Sequence, residues 1–229
     1  IFFNLNCNIF NYNYMKIALI GATGFVGTNL VNELSGRGHE VTAIARNPKN
    51  EGPANVKWQQ ADIFETNALA QVLKGHDVVI SAYNPGWTNP NIYTDFLKGA
   101  QSIQEAVKQS GVKRYITIGG AGSLYIAPGI QLIDTPEFPA DIKPGALAAK
   151  EYLDIIKEEK DLDWAFVSPA IEMHPGIDTG RTGKYRLGLD NPVFDDNGRS
   201  ILSGQDLAVV IADEAENPKH HQQRFTAAY

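Results

Sequence analysis

The chain has 229 residues, of which 43% are hydrophobic and 20% are charged, and this composition excludes a disordered, collagen-like or coiled-coil protein. Its length suits one domain, and no apolar run reaches the ~20 residues that a membrane-spanning helix needs. The net charge is −6 without a cluster of lysine and arginine, so we expect neither nucleic acid nor an anionic membrane as a partner.

Residues 1–14 differ in composition from the rest of the chain. They hold five asparagines among aromatic residues and no basic residue, which disfavours a signal peptide. Two interpretations are open: a leader segment that is foreign to the domain, or an extra edge strand. We favour the leader because a strong strand begins directly after Met15, which leaves residues 15–229 as the domain. The single cysteine, Cys7, cannot form an internal disulfide and predicts a cytoplasmic location.

From Met15 to Ser168, short apolar segments alternate with amphipathic helical patterns. The predicted strands are 16–20, 40–45, 56–60, 77–82, 114–118 and 163–168, and the predicted helices are 24–34, 67–73, 93–107 and 145–159. This alternation implies right-handed crossovers and helices on both faces of a parallel sheet. The sequence therefore predicts a doubly wound, Rossmann-like α/β fold. In such a fold the ligand lies beyond the carboxyl ends of the strands, where the winding reverses.

The alternation loosens after Ser168. Residues 169–199 are rich in Gly, Pro and Asp, and we expect them to fold over the ligand crevice as a small substrate-side portion. Ser203 and Asp206 match a capping box at the start of a helix, and residues 224–227 predict a last strand. No internal repeat or linker marks a second domain.

A glycine-rich loop directly follows the first strand and opens the first helix. Gly21 permits a tight turn, Gly24 lets the backbone approach a diphosphate, and Gly27 allows close packing of the helix. The helix N-terminus offers free N–H groups and a positive dipole end to the phosphates. A glycine-rich turn without a ligand is the alternative, which the position between strand and helix disfavours. The predicted cofactor contacts in the loop are Gly21, Thr23, Gly24, Phe25, Val26 and Gly27.

The Gly-x-x-Gly-x-x-Gly spacing of GATGFVG at 21–27 resembles the short-chain dehydrogenase/reductase superfamily. The wider pattern is similar to its atypical branch, the NAD(P)H-binding, NmrA-like proteins often labelled epimerase/dehydratase. This similarity covers about 15–229, and its further segments are SAYNPG at 81–86, IGGAGSL at 118–124, SPAIEMHPG at 168–176 and HHQQRFTAAY at 220–229. The resemblance implies a nicotinamide cofactor.

The end of the second strand bears on which nicotinamide cofactor is bound. An acidic residue about 20 positions past the glycine loop would favour NAD. Instead the strand ends in Ala45, Arg46 and Asn47, with Lys49 nearby. A cation there pairs with a 2′-phosphate, so we predict NADP(H), with NAD as the alternative. Arg46 is otherwise a solvated charge at a strand end.

Two further positions follow predicted strands. Asp62 matches the family position beside the adenine, or it caps the turn that follows it. Ala82 and Tyr83, after the fourth strand, are predicted by position to line the cofactor.

The resemblance also implies a Tyr-x-x-x-Lys pair with a nearby serine, which relays a proton to or from the substrate. Lys150 lies in the expected helix, but Ala146 stands where the tyrosine should be. Gly119 and Gly120 occupy the serine position, and Ser123 follows them. Lys150 is a candidate catalytic residue that is predicted to bind the cofactor ribose, or else it is solvated. Ser123 is a candidate catalytic residue or else a turn residue.

Loop residues near the crevice are candidates for the substrate side. Tyr83, Trp87, Tyr125 and Arg181 are predicted to contact the substrate, and His174 to donate a proton. For each of them, ordinary loop packing is the alternative. His220 and His221 are adjacent, and no carboxylate or cysteine spacing supports a metal site, so we predict no metal.

The missing tyrosine disfavours oxidation of alcohols by the usual proton relay. The leading hypothesis is an NADP(H)-dependent reductase of a small planar acceptor such as a flavin, a quinone or a pigment. A non-catalytic dinucleotide-binding redox sensor or regulator is the second hypothesis, and an NAD-dependent epimerase/dehydratase the third.

Overall fold

A computed structural model of the protein describes residues 14–49 and 51–229. Its strands are β1 (Lys16–Ile20), β2 (Glu40–Ala45), β3 (Val56–Gln60), β4 (Val78–Ser81), β5 (Arg114–Ile118), β6 (Tyr125–Ala127), β7 (Ile130–Gln131), β8 (Asp163–Ser168), β9 (Arg186–Gly188) and β10 (Gln223–Ala228). Its helices are α1 (Phe25–Gly36), α2 (Thr66–Leu73), α3 (Ile92–Ser110), α4 (Lys143–Lys157) and α5 (Gly204–Glu216). The leader predicted for residues 1–14, including Cys7, lies outside the described residues except for Tyr14.

Eight strands form one sheet in the order β3-β2-β1-β4-β5-β8-β10-β9. Every neighbouring pair is parallel except β10 and β9, which run antiparallel at the edge. The strands β6 and β7 form a separate hairpin. The winding reverses between β1 and β4, so the predicted doubly wound fold is confirmed. None of the helices within 14–49 and 51–229 combines the length and the apolar character that a membrane crossing requires.

The sheet is buried on both faces, which explains why its central strands read as continuous apolar runs. Aliphatic residues of α1 and α5 pack on one face, centred on Leu30, Leu34 and Leu207. The helices α2, α3 and α4 cover the other face. There, Trp164 of β8 is 2% exposed and Tyr152 of α4 is fully buried.

The start of α5 confirms only half of the capping box. The Ser203 hydroxyl accepts a hydrogen bond from the Asp206 amide at 3.0 Å, as predicted. The Asp206 carboxylate does not return to the Ser203 amide. It is fully buried and accepts from the amides of Thr182 and Gly183 at 2.9 and 2.8 Å. An aspartate used in this way fixes a distant loop to the helix.

This anchoring changes the course expected for residues 169–199. Part of the segment packs along α1 and α5, because Arg181 pairs with Glu33 of α1 and the Tyr185 hydroxyl donates to Asp213 of α5 at 2.5 Å. The chain then enters the edge strand β9. The expectation that the whole segment folds over the crevice is therefore wrong for the part around Arg181.

The turn between β1 and α1 is fixed by contacts to both neighbouring strands. Gly21 has a φ of +78°, and its amide donates to the Ile44 carbonyl of β2 at 3.1 Å. A Cβ on Gly21 would lie 2.6 Å from the Ala82 carbonyl oxygen beyond β4. A Cβ on Gly27 would lie 2.1 Å from the Gly21 carbonyl oxygen. Both positions therefore require glycine for close packing.

We expect the substitution Gly27→Ala to lower the free energy of unfolding by about 1–3 kcal/mol, because the added methyl group overpacks the turn. The matched control is Gly36→Ala on the same helix, where a Cβ meets nothing within 4 Å. That variant should be neutral or gain up to about 1 kcal/mol from better helix propensity. Urea unfolding of the two variants measures the difference, and equal midpoints would contradict the packing role of Gly27.

Candidate functional site

The carboxyl ends of the central strands form the candidate site. The glycine turn leaves β1 there, and the loops after β2, β3 and β4 carry Arg46, Asp62 and Tyr83. Because β1 and β4 are neighbours whose connections leave in opposite directions, a crevice opens between their ends. The topology thus brings the predicted cofactor residues to one edge of the sheet.

The N-terminus of α1 fits a phosphate group. Its N-cap is Gly24, no side chain caps it, and its first turn holds no acidic residue. Gly24 is exposed, and a Cβ placed there would meet only the Gly21 carbonyl oxygen, at 3.4 Å. Free first-turn amides and the helix dipole favour an anion at such a terminus. The space left open by Gly24 is what a diphosphate needs to approach the backbone.

The other residues of the loop differ in what they offer a ligand. Thr23 is exposed beside the turn, and Val26 is half-buried against the core. The Phe25 ring packs on the first turn of α5, since a Cβ on Gly204 would lie 2.6 Å from its Cζ atom. Phe25 nevertheless stays 38% exposed, and its backbone amide belongs to the first turn of α1.

Arg46 and Asp62 follow neighbouring strands, but only the Asp62 side chain is engaged in a hydrogen bond among the described residues. The Arg46 side chain is exposed and has no ion pair among the described residues, and its carbonyl accepts from Gln60 at 3.0 Å. The Asp62 carboxylate accepts from the Phe64 amide at 3.0 Å, so it caps the turn after β3. Capping of the turn is the alternative to a contact between Asp62 and the adenine. The contact with the adenine stays a prediction.

Tyr83 is a packed residue at the crevice. Its ring stacks on Phe96 with centroids 6.1 Å apart, and its hydroxyl donates to the Asp95 carbonyl at 3.0 Å. Burial, and after it the charge of Asp95, raises the pKa of Tyr83 to about 12. The phenol is therefore protonated at neutral pH and already engaged, so Tyr83 suits a wall and not an acid–base role.

The helix α4 lacks room for the missing tyrosine. Ala146 is 8% exposed, and a Cβ on Gly122 would lie 3.3 Å from the Ala146 methyl group. The loop after β5 thus packs directly on this helix turn, and a tyrosine at 146 requires that loop to move. Lys150 is half-buried, with its Nζ 3.9 Å from Asp134, so it is only loosely paired.

Two predicted catalytic residues are placed in structural contacts. Ser123 is 2% exposed, and its hydroxyl accepts from Arg224 at 3.3 Å. A buried, engaged hydroxyl is not positioned to reach a substrate, which supports the turn alternative for Ser123. His174 is exposed, and its Nδ1 faces the Gly176 amide at 3.1 Å within its own turn. Among the described residues, no contact orients His174 as a proton donor.

The predicted substrate residues separate into two groups. Trp87 is 59% exposed and lies on the first turn of α4, since a Cβ on Gly145 would be 3.0 Å from its Cζ3 atom. Tyr125 lies in the hairpin that follows β5. Arg181, in contrast, makes two bonds to Glu33, at 2.6 and 2.9 Å. Glu33 is in the third turn of α1, on the side away from the crevice, so the prediction that Arg181 contacts substrate is corrected.

Sequence reasoning did not identify a polar cluster beside the hairpin. Arg224 of β10 is 5% exposed and contacts Ser123 and Asp190. A single arginine at a buried position of an otherwise apolar strand is the available signal. Its partners are 34 and 101 positions distant along the chain, which local patterns do not reveal. No group of three or more potential metal ligands occurs in the part of the chain that the structure describes.

Comparison with known proteins identifies the family. A family profile described as NAD(P)H-binding matches residues 21–218. The chain belongs to the NAD(P)H-binding family. The NAD(P)H-binding part of the resemblance is thereby confirmed, as is a nicotinamide dinucleotide as the class of cofactor. The match begins at Gly21, the first residue of the turn described above.

Several similar proteins, including the following three, match almost the whole chain. The uncharacterized protein YwnB of Bacillus subtilis is 36% identical over 93% of this chain and 97% of its own length. A proposed epimerase from Bacteroides thetaiotaomicron is 46% identical, with a TM-score of 0.86 over 94% of this chain and 97% of that one. A proposed NADH-flavin reductase from Streptococcus pneumoniae is 34% identical, with a TM-score of 0.83 over 93% of this chain and 99% of that one.

We expect Gly24→Ala to weaken NADPH binding at least about tenfold, which is about 1.4 kcal/mol, because the methyl group occupies the approach to the helix N-terminus. The fold should tolerate the change, since the nearest atom to that methyl group is 3.4 Å away. Isothermal calorimetry measures affinity, and thermal unfolding checks the fold. Unchanged affinity in a folded variant would argue against a diphosphate at this turn.

Proposed function

We propose that the protein is an NADP(H)-dependent reductase of a small planar acceptor, such as a flavin or a quinone. The observation that carries the proposal is the presence of two features in one site. The N-terminus of α1 is open and uncapped, and Ala146 of α4 packs on the loop after β5. The first feature suits a dinucleotide, and the second leaves the usual proton relay without its tyrosine. A reaction that needs little acid catalysis fits both.

The remaining polar side chains at the crevice support this reaction class. The Tyr83 and Ser123 hydroxyls are engaged in hydrogen bonds within the protein. Lys150 is left as a cation on α4, and we propose that it holds the ribose of the cofactor. When bound, the nicotinamide supplies a hydride. The protein's part is then to orient the two rings and exclude water, with Tyr83 as one wall and the exposed Trp87 as a surface for a planar acceptor.

A preference for NADP(H) is supported by the end of β2. Arg46 is exposed and free of ion pairs within the described residues, so its guanidinium is available to a 2′-phosphate. No carboxylate follows β2 directly to accept the ribose hydroxyls. The name of the Streptococcus pneumoniae relative mentions NADH and a flavin, which supports the acceptor class but leaves the choice of cofactor to experiment.

We also propose that residues 15–229 form one domain, because the eight-stranded sheet draws its strands from the whole of this range. The substrate-side portion is then contributed by the β6–β7 hairpin and the loops around β9. A cytoplasmic location stays a prediction, as does the absence of a nucleic acid partner.

We expect the purified protein to oxidise NADPH when flavin mononucleotide or menadione is added, because either acceptor takes a hydride without a dedicated proton donor. Loss of nicotinamide absorbance measures the rate. Tight NADPH binding without acceptor-dependent oxidation would favour the dinucleotide sensor instead. Bound cofactor that is reduced and reoxidised within one turnover of a sugar nucleotide would favour the epimerase/dehydratase.

We expect Arg46→Ala to raise the dissociation constant of NADPH by about ten- to a hundredfold, the effect of losing a charge-assisted hydrogen bond. The affinity for NADH should change less than about twofold, because NADH lacks the 2′-phosphate. Lys74→Ala, which removes an exposed cation just after α2 at the opposite edge of the sheet, is the control. Equal losses for both cofactors would refute the role of Arg46.

A further inference from the structure

We propose that the β6–β7 hairpin and residues 189–191 together form the wall against which the acceptor binds, and that Arg224 is the positioning residue that holds this wall together. We call residues 123–131 and 189–191 the acceptor wall. The inference deepens the proposed reductase function and rests on it.

One guanidinium joins the two parts of the acceptor wall. Arg224 is the second residue of β10 and is 5% exposed. Its Nη1 donates to the carbonyl and to the hydroxyl of Ser123, both at 3.3 Å. Its Nε donates to the Asp190 carboxylate at 2.8 Å, and its Nη2 makes a further bond to the same oxygen. The planar guanidinium donates hydrogen bonds to both Ser123 and Asp190. A shorter or neutral side chain has fewer donors and cannot join the two segments equally well.

The main chain of Tyr125 is held from both sides by the same loop. Its amide donates to the Asp190 carbonyl at 2.8 Å, and its carbonyl accepts from the Asn191 side chain at 2.7 Å. The Tyr125 residue is 37% exposed. The backbone of the aromatic residue is therefore fixed while its ring stays accessible, which suits a stacking surface for a planar molecule.

The acceptor wall covers a part of the sheet that the helices leave uncovered. Phe225 and Ala227 pack with α1 and α5, so Arg224 and Thr226 face the opposite side by strand alternation. The core under α2, α3 and α4 contains no residue of β10. The hairpin fills this place next to the carboxyl end of β5. It thereby borders the crevice on the side away from the glycine turn.

The sheet surface beside Arg224 is polar. Thr226 pairs in register with Ser168 at the end of β8, and both hydroxyls are buried without a hydrogen-bond partner among the described residues. Buried hydroxyls normally have a partner. The sheet under the hairpin is therefore lined by polar side chains and not by the apolar residues that the helices cover.

A second buried arginine provides a matched control. Arg114 is 7% exposed in β5, donates to Glu214 at 2.5 Å and to the His220 carbonyl at 2.9 Å. Its chemistry resembles that of Arg224, but it is the first residue of its strand and so lies at the amino edge of the sheet. Loss of Arg114 should affect stability without reaching the acceptor.

The test compares Arg224→Met, Arg224→Lys, Asn191→Ala and Arg114→Met. Steady-state rates with NADPH and flavin mononucleotide or menadione give KM for the acceptor, and calorimetry gives the dissociation constant for NADPH. We expect Arg224→Met to raise the acceptor KM about tenfold, the scale of one or two lost hydrogen bonds. NADPH affinity should stay within about twofold, because the glycine turn is untouched.

The other variants separate positioning from general stability. Arg224→Lys should recover part of the loss, and Asn191→Ala should raise the acceptor KM by a smaller factor without disturbing the buried cluster. Arg114→Met should lower the unfolding temperature and leave the acceptor KM unchanged. If Arg224→Met does not fold, the surface variant Asn191→Ala decides.

Three outcomes would overturn the inference. One is an unchanged acceptor KM in Arg224→Met and Asn191→Ala, and another is an equal loss of NADPH affinity in these variants. The third is the same rise of acceptor KM in Arg114→Met. Absence of NADPH oxidation in the unsubstituted protein with both acceptors would instead refute the proposed function, and the inference with it, before any variant is compared.

Discussion

The contact between Gly27 and the Gly21 carbonyl oxygen is the constraint on which the site depends. A Cβ on Gly27 would lie 2.1 Å from that oxygen, so α1 starts directly against the turn that precedes it. The turn itself is held by β2, because the amides of Gly21 and Ala22 both donate to the Ile44 carbonyl, at 3.1 and 3.3 Å. The helix N-terminus is therefore fixed at the point where the sheet changes its winding. Because this backbone is already ordered, a diphosphate that binds there would cause no further loss of backbone conformational entropy.

A second close contact shapes the chemistry on the other side of the crevice. The α4 turn that would carry the proton-relay tyrosine has small residues, and Ala146 packs within 3.3 Å of the position of a Cβ on Gly122. The two positions depend on each other, because a large side chain at 146 needs a loop further from the helix. Gly122 and the alanine that replaces the tyrosine are thus parts of one packing arrangement. This packing supports the proposed direct hydride transfer over a relayed proton.

The strands and helices could be predicted from the sequence because their signals are local. The run KIALI alone indicates a buried strand, and β1 spans these five residues. The roles of loop residues could not be predicted in the same way. Arg181, predicted to contact the substrate, instead pairs with Glu33, 148 positions earlier, because its loop is fixed to Asp206 of α5. The glycine turn is the exception among loops, since Gly21 supplies its positive φ and Gly27 permits the close contact with that turn.

The two edges of the sheet use charge differently. At the amino edge, charged side chains are buried and paired: Arg37 contacts Glu33 and Glu216, and Arg114 contacts Glu214. Buried pairs of this kind need complete partners, and their removal costs stability. At the carboxyl edge, Arg46 and Lys150 are exposed or loosely paired, and Trp87 is open. The carboxyl edge thus offers exposed cations and an aromatic surface, which is what the proposed binding of a dinucleotide and a planar acceptor there needs. Because the chain has a net charge of −6, cations at this edge would provide the attraction that an anionic dinucleotide needs there.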